Sequence, residues 1–426
     1  MGMARPHRAG LATLLGLLAL AACATHPPAA GPTAPPKPVP VAVAVPADAA
    51  ALVAADDQFG LDLLTAPDLP KDGNLAISPA SVAIALQMVA TGARGTTATQ
   101  LASVLHLPNA ASAATSAQAL LSGLRDAEQD HRNTLRVANT VWTQRGLPVL
   151  PAFSDTLRTR FASALHTIDF ARDPDGARQR VNSTVAGQTN GLIPQLFPAG
   201  TLDDSTRLVL TNAIYLAASW ATAFPQDKTA PGPFTKADGS VSNVPMMHSD
   251  DPSAELPAAF GYATGPGYQV VTLPYVGGKL AFTVLLPNTT SLTPVLDALR
   301  DKGLPAVLKD VKPTRVALAM PKFTVHTDLD LSATLAALGM PAAFGGGADF
   351  TGITTAEHLQ IQTVRHDAVV HVDEHGTTAA AATGVGIQAT AGIALLPVNV
   401  NHPFLFVITD TATGAPLFLG RVTDPS

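Results

Sequence analysis

Between residues 78 and 92 the apolar side chains Val82, Ala85, Leu86 and Val89 recur three and four positions apart, and Gly92 ends the run. Ser78 offers a hydroxyl cap and Pro79 suits a first helical turn, so the spacing predicts a helix from Pro79. Thr96–Leu105, Pro151–Ala164 and Pro174–Gly187 read as helices on the same grounds. From Arg207 onward the period falls to two. Leu208–Leu216 is almost continuously apolar, and Gln269–Tyr275 and Lys279–Leu286 face each other across Gly277-Gly278 as a hairpin. Val316, Leu318 and Met320 alternate, as do Val370 and Val372 within Asp367–Glu374. Pro403–Thr409 and Pro416–Val422 flank Thr411-Ala412-Thr413-Gly414 as a closing hairpin. Helices early and strands in runs later, without strict alternation, predict an α+β domain with large antiparallel sheets.

The first residues do not fit that pattern. Arg5 and Arg8 precede an apolar run, Leu11–Ala22, that is shorter than the roughly 20 residues a membrane span needs but right for a secretory signal. It ends in Leu20-Ala21-Ala22-Cys23, which resembles a bacterial lipobox and implies that Cys23 is lipidated and residues 1–22 are removed; the alternative is an ordinary signal with an incidental cysteine. Two or more acyl chains would tether the protein stably to a membrane. Ala24 is not the aspartate associated with inner-membrane retention, so a secreted, lipid-anchored protein of the outer membrane, on its periplasmic or cell-surface side, is expected. Eight prolines between Ala24 and Ala47 then read as an extended spacer, reaching roughly 70 Å at about 3.1 Å per residue. This divides the chain into a signal (1–22), a lipidated Cys with Pro-rich linker (23–49) and one domain (50–426).

Composition narrows the chemistry. Of 426 residues 47% are hydrophobic, and 26 basic against 32 acidic side chains leave a net charge of −6, so nucleic acid is not an expected partner. Cys23 is the only cysteine, which removes disulfides, Cys-ligated zinc and thiol catalysis from the domain. There is no GxSxG elbow, HExxH, P-loop or GxGxxG after a strand. Among His131, His166, His248, His358, His366, His371, His375 and His402 no convincing ligand spacing emerges; His371 and His375, read as lying on one strand, stand about 13 Å apart. No metal, no cofactor and no enzymatic activity are expected, although a Ser/His/Asp triad needs no adjacency in sequence and an unrecognised hydrolase stays open as a lesser alternative.

One stretch stands apart. After a strong strand come Glu374-His375-Gly376-Thr377-Thr378-Ala379-Ala380-Ala381-Ala382-Thr383 and then a Gly-rich run to Gly392. A connection of some 20 residues without its own structure usually signals function or disorder. This one alternates: Thr377, Ala379, Ala381, Thr383, Val385 and Ile387 fall on one side, Thr378, Ala380, Ala382, Gly384, Gly386 and Gln388 on the other. With no charge or proline between Gly376 and Leu396, an accessible loop has the pattern of a buried strand.

Collinear blocks give that pattern a context. Asn74-Leu75-Ala76-Ile77-Ser78-Pro79-Ala80-Ser81, Leu210-Thr211-Asn212-Ala213-Ile214-Tyr215 with Trp220, Leu273-Pro274-Tyr275, Met320-Pro321-Lys322-Phe323, Asn401-His402-Pro403-Phe404 and Phe418-Leu419-Gly420-Arg421-Val422 occur in order, and the chain from about residue 55 to 425 resembles the serpin family of serine protease inhibitors. The resemblance implies about nine helices around three β-sheets with an exposed reactive-centre loop. It implies a suicide inhibitor: a serine endopeptidase attacks the loop, and the cleaved loop inserts into the main sheet while the protease is held as an acyl-enzyme. Serpin loop insertion is itself a standard example of strand addition and released strain. By family spacing the hinge comprises Glu374, Gly376, Thr377, Ala379, Ala380, Ala381, Ala382 and Thr383, and the reactive bond is Thr390–Ala391, with the bonds on either side as alternatives. Thr390 carries neither positive charge nor aromatic ring, so the expected partner is a protease with a small or shallow apolar pocket, elastase-like or subtilisin-like. Ser78, Ser81, Asn212 and His366 match the family's shutter, and Lys322, Glu374 and Trp220 its breach. A monomer is expected, with no heparin-type activation because no dense basic helix is present. Departures from the family pattern are His375, Thr378, Gly384 and Gly386; the alternative function is a non-inhibitory, serpin-like binding or structural envelope lipoprotein.

Overall fold

The backbone of Ser78 is extended, its hydroxyl accepts from the Ser81 amide at 3.3 Å, and Pro79 opens the helix that follows. Every residue of that helix, Pro79–Ala90, is buried, so the apolar stripe read from the sequence is too narrow a description. A helix apolar on all sides belongs inside a core. The computed structural model describes residues 50–69, 72–128, 133–161, 163, 165–191, 193–249, 259–377 and 395–426.

Among these residues nine α-helices occur: α1 (Ala50–Leu64), α2 (Pro79–Ala90), α3 (Gly95–Val104), α4 (Ala113–Glu128), α5 (Pro151–Arg160), α6 (Pro174–Gln188), α7 (Thr293–Lys302), α8 (Leu304–Leu308) and α9 (Ser332–Leu338). None of them is long and apolar enough to cross a membrane. The strands are β1 (Leu75–Ile77), β2 (Asn133–Gln144), β3 (Leu165–Ile168), β4 (Leu208–Ser219), β5 (Ala230–Thr235), β6 (Val241–His248), β7 (Ala259–Gly265) and β8 (Tyr268–Pro274), then β9 (Leu280–Pro287), β10 (Lys312–Pro321), β11 (Phe323–Asp330), β12 (Val364–Val372), β13 (Gly376–Thr377), β14 (Leu396–Asn399), β15 (Phe404–Asp410) and β16 (Pro416–Val422). The α+β architecture and both hairpins agree with the sequence reading. Helix α5 stops at Arg160, short of the predicted Ala164, with Phe161 as its C-terminal cap. The strand read as Asp367–Glu374 starts earlier and stops at Val372.

One sheet runs β11-β12-β13-β4-β2-β3. The other strands follow the order β1-β16-β15-β9-β8-β7-β10-β6-β5, with β14 also on β10. Strand β10 pairs with β7 through Lys312–Arg315 and with β6 and β14 through Val316–Pro321, so it passes from one ladder to another. Counted on either side of β10, the described strands make three sheets.

Aromatic rings fasten the first sheet to the second. Phe282 of β9, fully buried, stacks on Phe406 of β15 at 5.5 Å and meets the edge of Trp220 at 5.6 Å. Phe323 of β11 stands 5.8 Å from both Phe404 and Phe406. Opposite Phe406, Gly420 has no room for a side chain, because a Cβ there would lie 2.4 Å from that ring. A smaller core with Trp142, Val181, Phe197 and Val209 seats α6 on β2 and β4. Asn182 of α6 is spent inside it: its side chain donates to the Phe197 carbonyl at 2.9 Å and accepts from the amides of Leu196 and Phe197.

Replacing Phe282 removes the ring that the other aromatics share. Phe282→Ala is expected to destabilise the fold by about 3–5 kcal/mol, read as a lower urea midpoint for the loss of tryptophan fluorescence. A shift corresponding to less than about 1 kcal/mol would mean that the cluster does not fasten the sheets.

Candidate functional site

Three strands place Asn139, Asn212 and His366 in one row. Asn139 of β2 lies opposite Asn212 of β4, and Asn212 lies opposite His366 of β12. The Ser78 amide at the start of α2 donates to His366 Nε2 at 3.2 Å. That acceptor role leaves the ring proton on Nδ1, which donates to Asn212 Oδ1 at 2.7 Å. The Asn212 amide then donates to Ser81 Oγ at 2.6 Å and to Asn139 Oδ1 at 2.7 Å, and Ser81 Oγ donates to the same Asn139 oxygen at 3.1 Å. Ser78, Ser81, Asn212 and His366 are all fully buried. The four residues read from the sequence therefore form one network that ties α2 to the sheet. Asn139 was missed; its signal was a polar residue at the same parity as the buried Leu135 and Val141.

Burial lowers the His366 pKa to about 4. Both ring nitrogens are engaged and the imidazole is neutral near pH 7, so it serves as a structural clasp rather than a proton carrier.

Above this row the sheet opens. Strands β4 and β12 run parallel and pair directly from Leu210↔Val364 to Ile214↔Ala368. Further along, β13 stands between them, antiparallel to both, with Gly376↔Ser219, Thr377↔Ala218 and Val372↔Thr377. The chain reverses between β12 and β13 because Asp373 Oδ1 accepts from the amides of His375 and Gly376 at 2.8 and 3.1 Å. Gly376 is required by contact: a Cβ would lie 2.0 Å from the Ala218 carbonyl oxygen. The reading of His371 and His375 on one strand is thus corrected, since the turn falls between them. His375 faces Gln226 at 2.8 Å, while His371 Nε2 lies 3.6 Å from Asp373.

The reversal is anchored from three sides. Glu374 is nearly buried, its side chain 6% exposed, and its carboxylate accepts from Lys322 Nζ at 2.8 Å and from Thr229 Oγ1 at 2.7 Å. Burial pushes this carboxyl up, but the hydrogen bonds from Lys322 and Thr229 outweigh it and hold it below its ordinary value. Trp220 donates from Nε1 to the Asp373 carbonyl at 2.9 Å and from its backbone to the His375 carbonyl at 2.8 Å. Its indole stacks on Tyr275 at 4.7 Å, and the Tyr275 hydroxyl meets Thr377 Oγ1 at 2.5 Å. Thr377 is fully buried, so the first residue of the alternating segment already points into the core. Lys322, Glu374, Trp220, Gly376 and Thr377 come together here, and Thr229 and Tyr275 are partners that sequence reasoning did not name.

Cys23, the signal and the linker lie outside the described residues, as do Ala379, Ala380, Ala381, Ala382 and Thr383 of the hinge and the bond Thr390–Ala391. Among the described residues no cluster of three His, Cys, Asp or Glu side chains is arranged to hold a metal ion.

Comparison with known proteins agrees with this geometry. The family model described as serpin, serine protease inhibitor, matches residues 54–425. The leukocyte elastase inhibitor of Bos taurus is 35% identical over 390 residues, covering 88% of this chain and 99% of the bovine protein. Among solved structures, Serpin48 of the insect Tenebrio molitor is similar with a TM-score of 0.74 at 27% identity, over 88% of this chain and 97% of that one. The native stressed form of AtSerpin1 from Arabidopsis is similar with a TM-score of 0.75 at 26% identity, over 88% and 98%.

The buried imidazole sets a pH dependence. Below about 6.5 the unfolded chain binds a proton at His366, whereas the folded chain does so only near 4. Stability should therefore fall as pH drops through that window, by about 1.4 kcal/mol per unit, with no contribution above it. Asp367, whose pKa burial raises to about 6, acts in the opposite sense. The difference between wild type and His366→Gln in thermal midpoint against pH isolates the imidazole: the variant should show the shallower acid decline, and identical slopes would refute the assignment.

Proposed function

The chain belongs to the serpin family, whose members are serine protease inhibitors rather than enzymes, and we propose that it is a suicide inhibitor of serine endopeptidases that works by strand insertion between β4 and β12. The observation that carries this reading is β13, two residues of a third strand standing between β4 and β12, with Thr377 buried and the small-residue alternation continuing after it in sequence. The protease serine attacks the Thr390 carbonyl, the Thr390–Ala391 bond breaks, and the Ala391 amine leaves with a proton from the protease's own histidine. The ester that remains joins protease to loop. Ala379–Ala382 then extend β13 between β4 and β12, which part where they now pair, and the protease travels with the loop before water can hydrolyse the ester.

Small side chains support the speed that this race requires, since none needs to desolvate a charge on entering the sheet. Thr390 favours proteases with small or shallow apolar pockets, in line with the bovine elastase inhibitor among the relatives. Cys23 anchors a monomer to the outer membrane through its lipid, with residues 24–49 as spacer.

Mixing the full-length chain with elastase, subtilisin and trypsin should give an adduct stable on a denaturing gel with the first two, and a released fragment beginning at Ala391. Clean cleavage near Thr390 without adduct would leave a non-inhibitory binding or structural lipoprotein. A second outcome concerns the anchor of the turn. Glu374→Lys places two cations where Lys322 and Glu374 now pair, the new one at a nearly buried position with no carboxylate to offset it. The variant should form polymers or insert prematurely, seen by size exclusion and by loss of adduct; a monomer of unchanged inhibition would overturn the role assigned to the pair.

A further inference from the structure

Arg421 is the charged residue of the closing motif, and it is buried, with 7% of its surface exposed. Its Nε donates to the Gly73 carbonyl at 3.1 Å and its Nη1 to the Leu64 carbonyl at 3.2 Å, tying the end of α1 to β16. Its Nη2 has no acceptor among the described residues. A guanidinium keeps its charge and carries five donors, so a buried one with an unused amino group is incompletely matched.

Arg421 lines a cavity of about 520 Å³ bounded by the end of α1, the start of α7 and strands β15 and β16. That volume falls in the range usual for small-molecule sites. Its walls are mainly apolar, with Leu64, Leu69, Leu292, Leu296 and Leu405 among them. Two arginines line the site against one acid. Arg300 also lines it, its Nη1 held by Asp297 at 3.0 Å, and the N-terminal end of α7 adds its partial positive charge. Asp72, exposed, is the acid among the described lining residues.

We propose that this cleft binds a single-chain amphipathic carboxylate, its head group taking the place of Asp72 beside the Arg421 charge, its alkyl chain lying along the leucines. The cleft is built from elements other than β4, β12 and β13, so it is a site additional to the inhibitory one.

Isothermal titration of the full-length chain with sodium decanoate, kept below its micelle concentration, tests it. One saturable site per chain is expected, with decanol, uncharged and of equal chain length, weaker by about tenfold or more. Asp72→Asn removes the competing carboxylate and should tighten decanoate several-fold, a gain that misfolding does not mimic. Leu296→Trp fills the cavity and should weaken binding by about tenfold or more while the thermal midpoint stays close to wild type. Arg421 itself stays in place because it caps α1. Absence of saturable binding, equal affinity for decanol, or indifference to Leu296→Trp would overturn the proposal, and indifference to Asp72→Asn would overturn the placement of the head group at Arg421.

Discussion

Strands β4 and β12 are neighbours along only part of their length, and backbone groups in a sheet must find partners wherever they lie. Over Leu210–Ile214 the two strands satisfy each other; beyond, two residues of β13 take over. The rest of the site can be understood as what holds this division in position. Below it, the row Asn139–Asn212–His366 ties the paired region to the start of α2. Above it, Glu374, Trp220 and Asp373 fix the turn from which β13 enters. The structure thus commits polar side chains to a sheet interior, where apolar packing alone would serve a static protein equally well.

The two anchors differ in physical kind. The lower one is built of neutral groups in full burial, with each hydrogen bond strong because water is absent and each loss severe for the same reason. Its imidazole must stay unprotonated, which couples the closure of the sheet to acid. The upper one uses an ion pair whose cation, Lys322, is 35% exposed while its anion is 6% exposed. Removing the exposed partner therefore leaves a nearly buried carboxylate with Thr229 as its remaining side-chain donor. On the proposed mechanism the lower anchor has to yield after cleavage, whereas the upper one only has to admit the strand that follows Thr377.

Much of this was legible in the chain. The Ser78-Pro79 cap, the Gly277-Gly278 hairpin and the long strands are local signals, and local signals survive folding. Four of the buried polar residues were placed by resemblance, and the structure brings them within hydrogen-bond distance of one another. What was not legible depends on contacts between distant segments. The turn after Val372 carries no glycine or proline until Gly376 and is made by the Asp373 side chain, so the alternation of Val370 and Val372 runs past the true end of the strand. Asn139 belongs to the network only because β2 is in register with β4. Thr229 and Tyr275 meet the hinge from the residue before β5 and the residue after β8, and no spacing rule relates them to Glu374 or Thr377.

Thr377, fixed against Tyr275, sets a reading frame. Side chains in a strand alternate faces, so the parity of every later position is counted from this residue. On the proposed mechanism, adding or deleting a single residue between Thr377 and the reactive bond would exchange the two faces of the inserting segment, turning Gln388 inward and Val385 and Ile387 outward. Changes of two residues preserve the frame. Loop length on that mechanism is accordingly quantised in pairs, so that reach toward a protease and fit within the sheet would be adjusted together only in even steps.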